Sequence, residues 1–408
     1  AGGEYLWIAR IYSSLFWVLG GLFLFLWARE ISSTDGAVIA LIFYLFLPYG
    51  IIASRSFQPD PLMVALVIAG AWGTYNWHTK ATWKWAITAG LLNGAAIFIK
   101  NVAVFPLLGV ALALVLERGF GESIRDRKTW VVALLSALPT AIFVIYGMFI
   151  AGFLTQQFNL RFFPDLLRDP AFYLRWKGQL DGIPGFGTVV VALLGIFLTR
   201  RRSETALLLG LWVGYVVYGM IFTYHITTHD YYNLPVIPIV ALSLSVPVAI
   251  LAEQLSQPHP SIWVRAVFAL GLLVITATHM WYARVDLARV DYRQDVDFWW
   301  RLGEKLGHTN PAIGLTPDYG ARLAFWGWQD VSSWYYSEDL LLRELAGKEI
   351  DLSQRFESQI EGKCYFVVTQ FGRFDDQRDA QQTLYDNYPI YEQTDNYIIF
   401  QLAPCNSQ

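Results

Sequence analysis

Charge is what this chain has least of. Asp, Glu, Lys and Arg make up 15% of its 408 residues, 33 acidic against 30 basic, where soluble domains carry roughly 25%. So thin a supply excludes a water-soluble globule over the whole length. The formal net charge of −3 names no partner, and without a basic stripe or a recognition motif a nucleic-acid partner is excluded. Only two cysteines occur, Cys364 and Cys405, so at most one disulfide can form, and spacing alone does not establish its geometry. No internal repeat and no midplane charge pathway is evident, which counts against a lipid or sugar transporter.

What is present is apolar: 55% of residues are hydrophobic and 16% aromatic. A helix needs about 20 apolar residues to cross a hydrocarbon core, and runs approaching that length fill the chain to Tyr282. They predict membrane helices over Tyr5–Trp27, Gly36–Ala53, Pro61–Trp77, Trp85–Ile99, Val102–Leu116 and Trp130–Gly152. Four more follow over Ile183–Thr199, Thr205–Tyr224, Leu234–Ala252 and Ile262–Tyr282. The fold class expected is therefore an α-helical polytopic membrane domain over 1–282 and a water-soluble α/β domain over 283–408.

Threading these helices sorts the charges. Arg29, Lys80, Lys84, Arg118, Arg125, Arg127, Lys128, the triplet Arg200 to Arg202 and Arg265 share one side, which the positive-inside rule makes cytoplasmic. Arg10, Arg55, Lys100, Arg161, Arg168, Arg175, Lys177 and the tail fall on the other, where orientation does not call for cations. Each of these can snorkel to headgroups singly, but together they point to a site.

Ser54-Arg55-Ser56-Phe57-Gln58-Pro59-Asp60-Pro61 is a turn between two helices. Asp60 suits a helix N-cap before Pro61; alternatively Arg55 and Asp60 pair at a site rim, where a guanidinium can take phosphate oxygens. Lys100 ends an apolar run and needs an anionic partner or water, which a lipid phosphate would supply. His225-Ile226-Thr227-Thr228-His229-Asp230-Tyr231-Tyr232-Asn233-Leu234-Pro235 is the densest polar cluster of the membrane domain. If helical, it offers His225, His229 and Asp230 to a divalent metal; alternatively His229, Asp230, Tyr231 and Tyr232 bond sugar hydroxyls, or the tyrosines anchor at headgroups.

Residues 153–182 are too polar to span and too aromatic to float free. With Phe158, Leu160, Phe162, Phe163 and Trp176 beside Arg161, Arg168, Arg175 and Lys177, they read as an interfacial segment. In the tail, a helix is expected over Asp291–Leu306 with Val296, Trp299, Trp300 and Leu306 on its apolar face. Strands are expected at Ala312–Leu315, Tyr365–Thr369 and Tyr397–Leu402, with a helix at Ser337–Leu345. Tyr319, Trp326, Trp328, Trp334, Tyr335 and Tyr336 fit either sugar stacking or a small core.

Ala9-Arg10-Ile11-Tyr12-Ser13, Ser54-Arg55 with Asp60, Gly90 to Lys100, and Tyr231 through Pro238 together resemble the glycosyltransferase C superfamily, near its bacterial protein O-mannosyltransferases and aminoarabinose lipid A transferases. The resemblance spans most of the chain. It implies an integral protein of a bacterial plasma membrane, its C-terminal domain extracytoplasmic. Such a protein moves a sugar, with inversion, from a polyprenyl phosphate to a hydroxyl of a protein, lipid or glycan. Lys100 and Arg55 would then hold the donor phosphate, and Asp60, His229, Asp230, Tyr231 and Tyr232 would contact substrate. The resemblance also implies an acidic catalytic residue in a first outer loop, which would lie upstream of Ala1. A non-catalytic subunit of a larger membrane complex is the alternative.

Overall fold

The computed structural model describes residues 6–154, 161–255, 262–289, 291–348 and 352–404. Phe158, Leu160 and Cys405 lie outside them. The chain divides into two compact units, Ala1–Ala288 and Arg289–Gln408.

The first unit is helical. It begins with α1 (Leu6–Ile31), α2 (Thr34–Phe46), α3 (Pro48–Ala53), α4 (Asp60–Lys80) and α5 (Trp83–Ile99). Next come α6 (Val104–Arg118), α7 (Phe120–Arg125), α8 (Arg127–Ile145) and α9 (Pro170–Gly182). It closes with α10 (Phe186–Leu198), α11 (Arg202–Ile221), α12 (Thr223–Thr228), α13 (Val236–Leu255) and α14 (Ile262–Ala288). Among the described residues, six helical stretches are long and apolar enough to cross a membrane, or seven if α9 and α10, bent by 91°, count as one. Ten crossings were expected, and the shortfall has local causes. Leu47, just before Pro48, takes an extended backbone (ψ 127°) and breaks α2 from α3, as the clash of a proline ring with the preceding residue requires. α5 has 17 residues and α10 only 13. α4 is long enough but ends in a polar stretch, Asn76 to Lys80.

Packing depends on small residues. α6 and α11 approach so closely that a Cβ on Gly109 would meet the Gly210 carbonyl at 2.1 Å, and one on Gly210 would meet the Gly109 carbonyl at 2.5 Å. In a bilayer, where lipid tails are as apolar as Leu, close backbone approach supplies much of the attraction between helices. α4 packs on α5, α5 on α8, and α13 on α2 and α10.

The second unit is a five-stranded sheet with helices on both faces. α15 (Asp295–Leu306) leads to β1 (Ala312–Leu315), α16 (Ala321–Gly327) and β2 (Val331–Ser333). α17 (Ser337–Leu345) and α18 (Leu352–Ile360) then precede β3 (Tyr365–Val368), α19 (Phe371–Asp375), α20 (Arg378–Asn387), β4 (Ile390–Gln393) and β5 (Ile398–Gln401). The order is β2-β1-β3-β5-β4, with β1 parallel to β2 and β3, and β5 antiparallel to β3 and β4. Trp299, Leu302 and Leu306 of α15 cover one face, and Phe356 and Leu384 the other. Trp300, expected on the apolar face of α15, is exposed; it follows Trp299 directly and so points away on a helix. β2 and β4 went unread because neither alternates: β2 has three residues, and β4 is an exposed edge with a register shift at Tyr391.

Candidate functional site

Residues far apart in the chain meet at one end of the helical unit. α5 stops at Lys100, which takes an extended backbone (φ −154°, ψ 117°) before a short 3-10 turn leads into α6. That elbow delivers the ammonium to α4, where Lys100 Nζ lies 2.8 Å from Asp60 Oδ1. The Asp60 side chain is 3% exposed and that of Lys100 22%, so the carboxylate is buried and the ammonium reaches the surface. Asp60 is not the N-cap. It is the first residue of α4, with Pro59 at the cap position and no side-chain cap bond. There its charge meets the positive end of the helix dipole as well as Lys100. The expected pairing of Asp60 with Arg55 does not form; Arg55 is exposed in the turn, and the shorter route to Asp60 is across the α4–α5 contact.

Over Lys100 lie two aromatic faces, with ring centroids 4.9 Å (Tyr231) and 5.3 Å (Tyr232) from Nζ, a geometry that attracts a cation. Arg161 Nη1 donates to the Tyr232 hydroxyl at 3.2 Å. Tyr49 of α3 sits beside the Asp230 carboxylate. Two cations, two carboxylates and three phenols thus share one end of the unit.

The loop carrying the tyrosines is fixed from below. Asn233 accepts from the Tyr215 hydroxyl (2.5 Å) and donates to the Ile226 carbonyl (3.0 Å). Trp176 Nε1 of α9 donates to Tyr215 (3.0 Å), and Gln179 of α9 donates to the Thr227 carbonyl (3.0 Å). Within the segment expected to lie at the membrane surface, α9 therefore buries Phe172 and Trp176 in the protein and braces the site.

His225 and His229 stack on each other, centroids 5.5 Å apart, and His225 also stacks on Tyr232 at 5.2 Å. Burial, then His229 and Arg161, push the His225 pKa down to about 4. Burial also lowers that of His229, with Asp230 opposing and Lys100 reinforcing. His229 Nδ1 is 2.8 Å from the Thr228 hydroxyl, and Asp230 Oδ1 accepts from the Tyr231 amide at 2.7 Å. The metal expected on His225, His229 and Asp230 is not supported: among the described residues no three His, Cys, Asp or Glu side chains form a group able to hold one. The physical reason is that the helix ends at Thr228, so the rings stack instead of converging with Asp230.

Sequence reasoning had Lys100, Asp60, Tyr231, Tyr232 and Asp230, and the fold brings them together. It missed Tyr49, which reads as a headgroup tyrosine, and the supporting roles of Tyr215, Asn233 and Trp176.

A family model described as dolichyl-phosphate-mannose-protein mannosyltransferase matches residues 2–146. A search of curated proteins finds no match. Among solved structures, ArnT from Cupriavidus metallidurans bound to undecaprenyl phosphate aligns at TM-score 0.58 and 14% identity, over 96% of this chain and 83% of that one. The Archaeoglobus fulgidus oligosaccharyltransferase in its apo form aligns at 0.53 and 12%, over 89% and 59%. The fold is that of the glycosyltransferase C superfamily. At 14% and 12% identity the likeness is one of fold, and the Lys100–Asp60 cluster lies in the helical unit of that fold. AglB from Archaeoglobus fulgidus, in complex with an inhibitory peptide and a dolichol-phosphate, has the same fold at TM-score 0.51 and 12% identity, over 89% of this chain and 58% of that one.

Proposed function

We propose that this protein transfers a sugar from a polyprenyl-phosphate donor to a hydroxyl acceptor on the extracytoplasmic side of a plasma membrane. The observation that carries the reading is the Lys100 ammonium, held at the surface by a buried carboxylate and two aromatic faces. A cation so fixed is preorganised for a lipid phosphate. In the transfer, the bond between the anomeric carbon and the phosphate oxygen breaks, a bond to the acceptor oxygen forms on the opposite face, and the proton of the acceptor hydroxyl ends on the released polyprenyl phosphate or in water. Negative charge builds on the departing phosphate, and Lys100, with Arg161 across Tyr232, stabilises it without reorganising. Arg55, on the exposed turn, recruits the donor at the rim. Asp230, Tyr231 and His229 offer hydrogen bonds to the sugar. Sidedness rests on the basic residues gathered at the other ends of the helices, including Arg29, Lys80 and Arg200.

The test is turnover of a polyprenyl-phosphate sugar by the full chain in liposomes. Lys100→Ala lowers kcat by about 100-fold, the usual effect of removing one charge-stabilising group. Arg55→Ala raises KM with a smaller change in kcat. Unchanged turnover in both variants rejects the phosphate assignment.

A further inference from the structure

Three independent features of the C-terminal unit coincide at the carboxyl ends of β1 and β3. The first is topological. Beyond β1 the chain turns through α16 towards β2, and beyond β3 it turns through α19 and α20 towards β4 and β5, on the opposite side of the sheet. Adjacent parallel strands whose connections diverge leave a crevice outside their carboxyl ends, where ligands of open α/β sheets bind.

The second is a set of polar atoms. Thr316 Oγ1, Thr369 Oγ1 and Gln370 Oε1 are buried and have no hydrogen-bond partner. Thr316 is 1% exposed. These are the residues that follow β1 and β3, and they are neighbours, since the Thr369 amide donates to the Leu315 carbonyl at 3.0 Å. Nine in ten buried polar groups are satisfied in folded proteins, so three open ones side by side call for a reason.

The third is backbone conformation. Asp318, Tyr319 and Gly320 all have positive φ, at 52°, 56° and 89°. For the first two this is strained, and such strain gathers at binding sites. It turns the Tyr319 side chain outwards, 55% exposed, with its ring stacked on Tyr336 at 4.3 Å. The Tyr319 amide donates to the Tyr336 hydroxyl (2.8 Å), which in turn bonds the Thr316 carbonyl, tying the platform to the strand end.

The chemistry of the mouth selects the ligand. Arg322 is bound to Asp318 and Asp295, and Arg373 to Glu338, so each nearby cation is already committed to a carboxylate. What lacks a protein partner is a pair of buried hydroxyls and a buried amide oxygen, and beside them Tyr319 offers an exposed aromatic face; together these match the hydroxyls and the apolar face of a sugar ring. We propose that the crevice between the ends of β1 and β3 binds a neutral carbohydrate, stacked on Tyr319 and hydrogen-bonded by Thr316, Thr369 and Gln370. The site stands on the C-terminal unit alone and does not depend on the donor assignment.

The test is saturation-transfer difference NMR on the full chain in lipid nanodiscs. The neutral probes are methyl α-mannopyranoside, methyl β-galactopyranoside and N-acetylglucosamine, and the charged comparison is glucose 6-phosphate. At least one neutral sugar binds, and Tyr319→Ala and Thr316→Val each weaken it about tenfold, the effect of losing one good contact. Thr316→Val leaves the melting temperature unchanged or higher, because the hydroxyl it removes has no partner in the fold. The proposal is overturned by binding of none of the neutral sugars, by binding of glucose 6-phosphate alone, or by binding that both variants retain in full.

Discussion

His225 lies where an added positive charge is opposed by burial, by His229 and by Arg161. Its folded pKa, about 4, is below the 6.5 of the free side chain, so between those values the unfolded chain holds a proton that the folded one does not. Stability therefore falls as pH drops from about 6.5 towards 4 and levels off beyond either limit. Thermal unfolding at pH 5 and pH 7.5 measures the effect. His225→Phe, which keeps a ring against Tyr232, narrows the difference between the two midpoints; an equal difference in both proteins overturns the assignment. At this scale the sequence was informative about which side chains matter and silent about their partners. Lys100 stands out because it ends an apolar run, and Asp60 because it sits in a polar turn just before Pro61. That they bind each other depends on where α5 ends against α4, and across a separation of 40 positions nothing local encodes it. Tyr49 was hidden for the opposite reason: a tyrosine in an apolar run has an ordinary interfacial explanation.

Among the elements, α6 and α11 depend on the absence of side chains. Placing a methyl group at position 210 drives it into the Gly109 carbonyl and within 2.9 Å of the Val110 Cα. Both are backbone, so neither yields as a flexible side chain would. Gly210→Ala should cost about 1–3 kcal/mol, the usual penalty of overpacking, read as a lower melting temperature in detergent. Gly121→Ala, where the added atom meets nothing, serves as the comparison, and equal loss in the two would refute the close-packing account. Helix positions were legible from apolar runs, but their integrity was not. The break at Leu47 and the 91° bend between α9 and α10 both sit at Pro or Gly positions whose effect depends on what packs around them. In the same way, of the six tail aromatics that fitted either role, Trp334 went to the core and Tyr319 to the surface. Only the sheet's two-sided covering decides such cases.

At the scale of the molecule, the two units have separate cores and solve different problems. One holds its helices together inside lipid; the other buries both faces of a sheet against water. Because residues 289–408 have apolar clusters on each side of β1 and β3, that segment expressed alone should unfold in urea in one cooperative transition. A gradual loss of structure without a transition would show that it cannot stand alone. The composition changes abruptly after Tyr282, and the two compact units divide after Ala288.

One helix remains apart from these cores. α14 has 27 residues, and its most apolar stretch has none buried in the protein. At about 1.5 Å per residue it is about 40 Å long, against about 30 Å of hydrocarbon. It packs on α2 and α3, and a helix longer than the hydrocarbon is thick tilts more steeply as the acyl chains shorten. Membrane thickness thus becomes a control variable for this helix, adjustable through lipid chain length with no change to the protein.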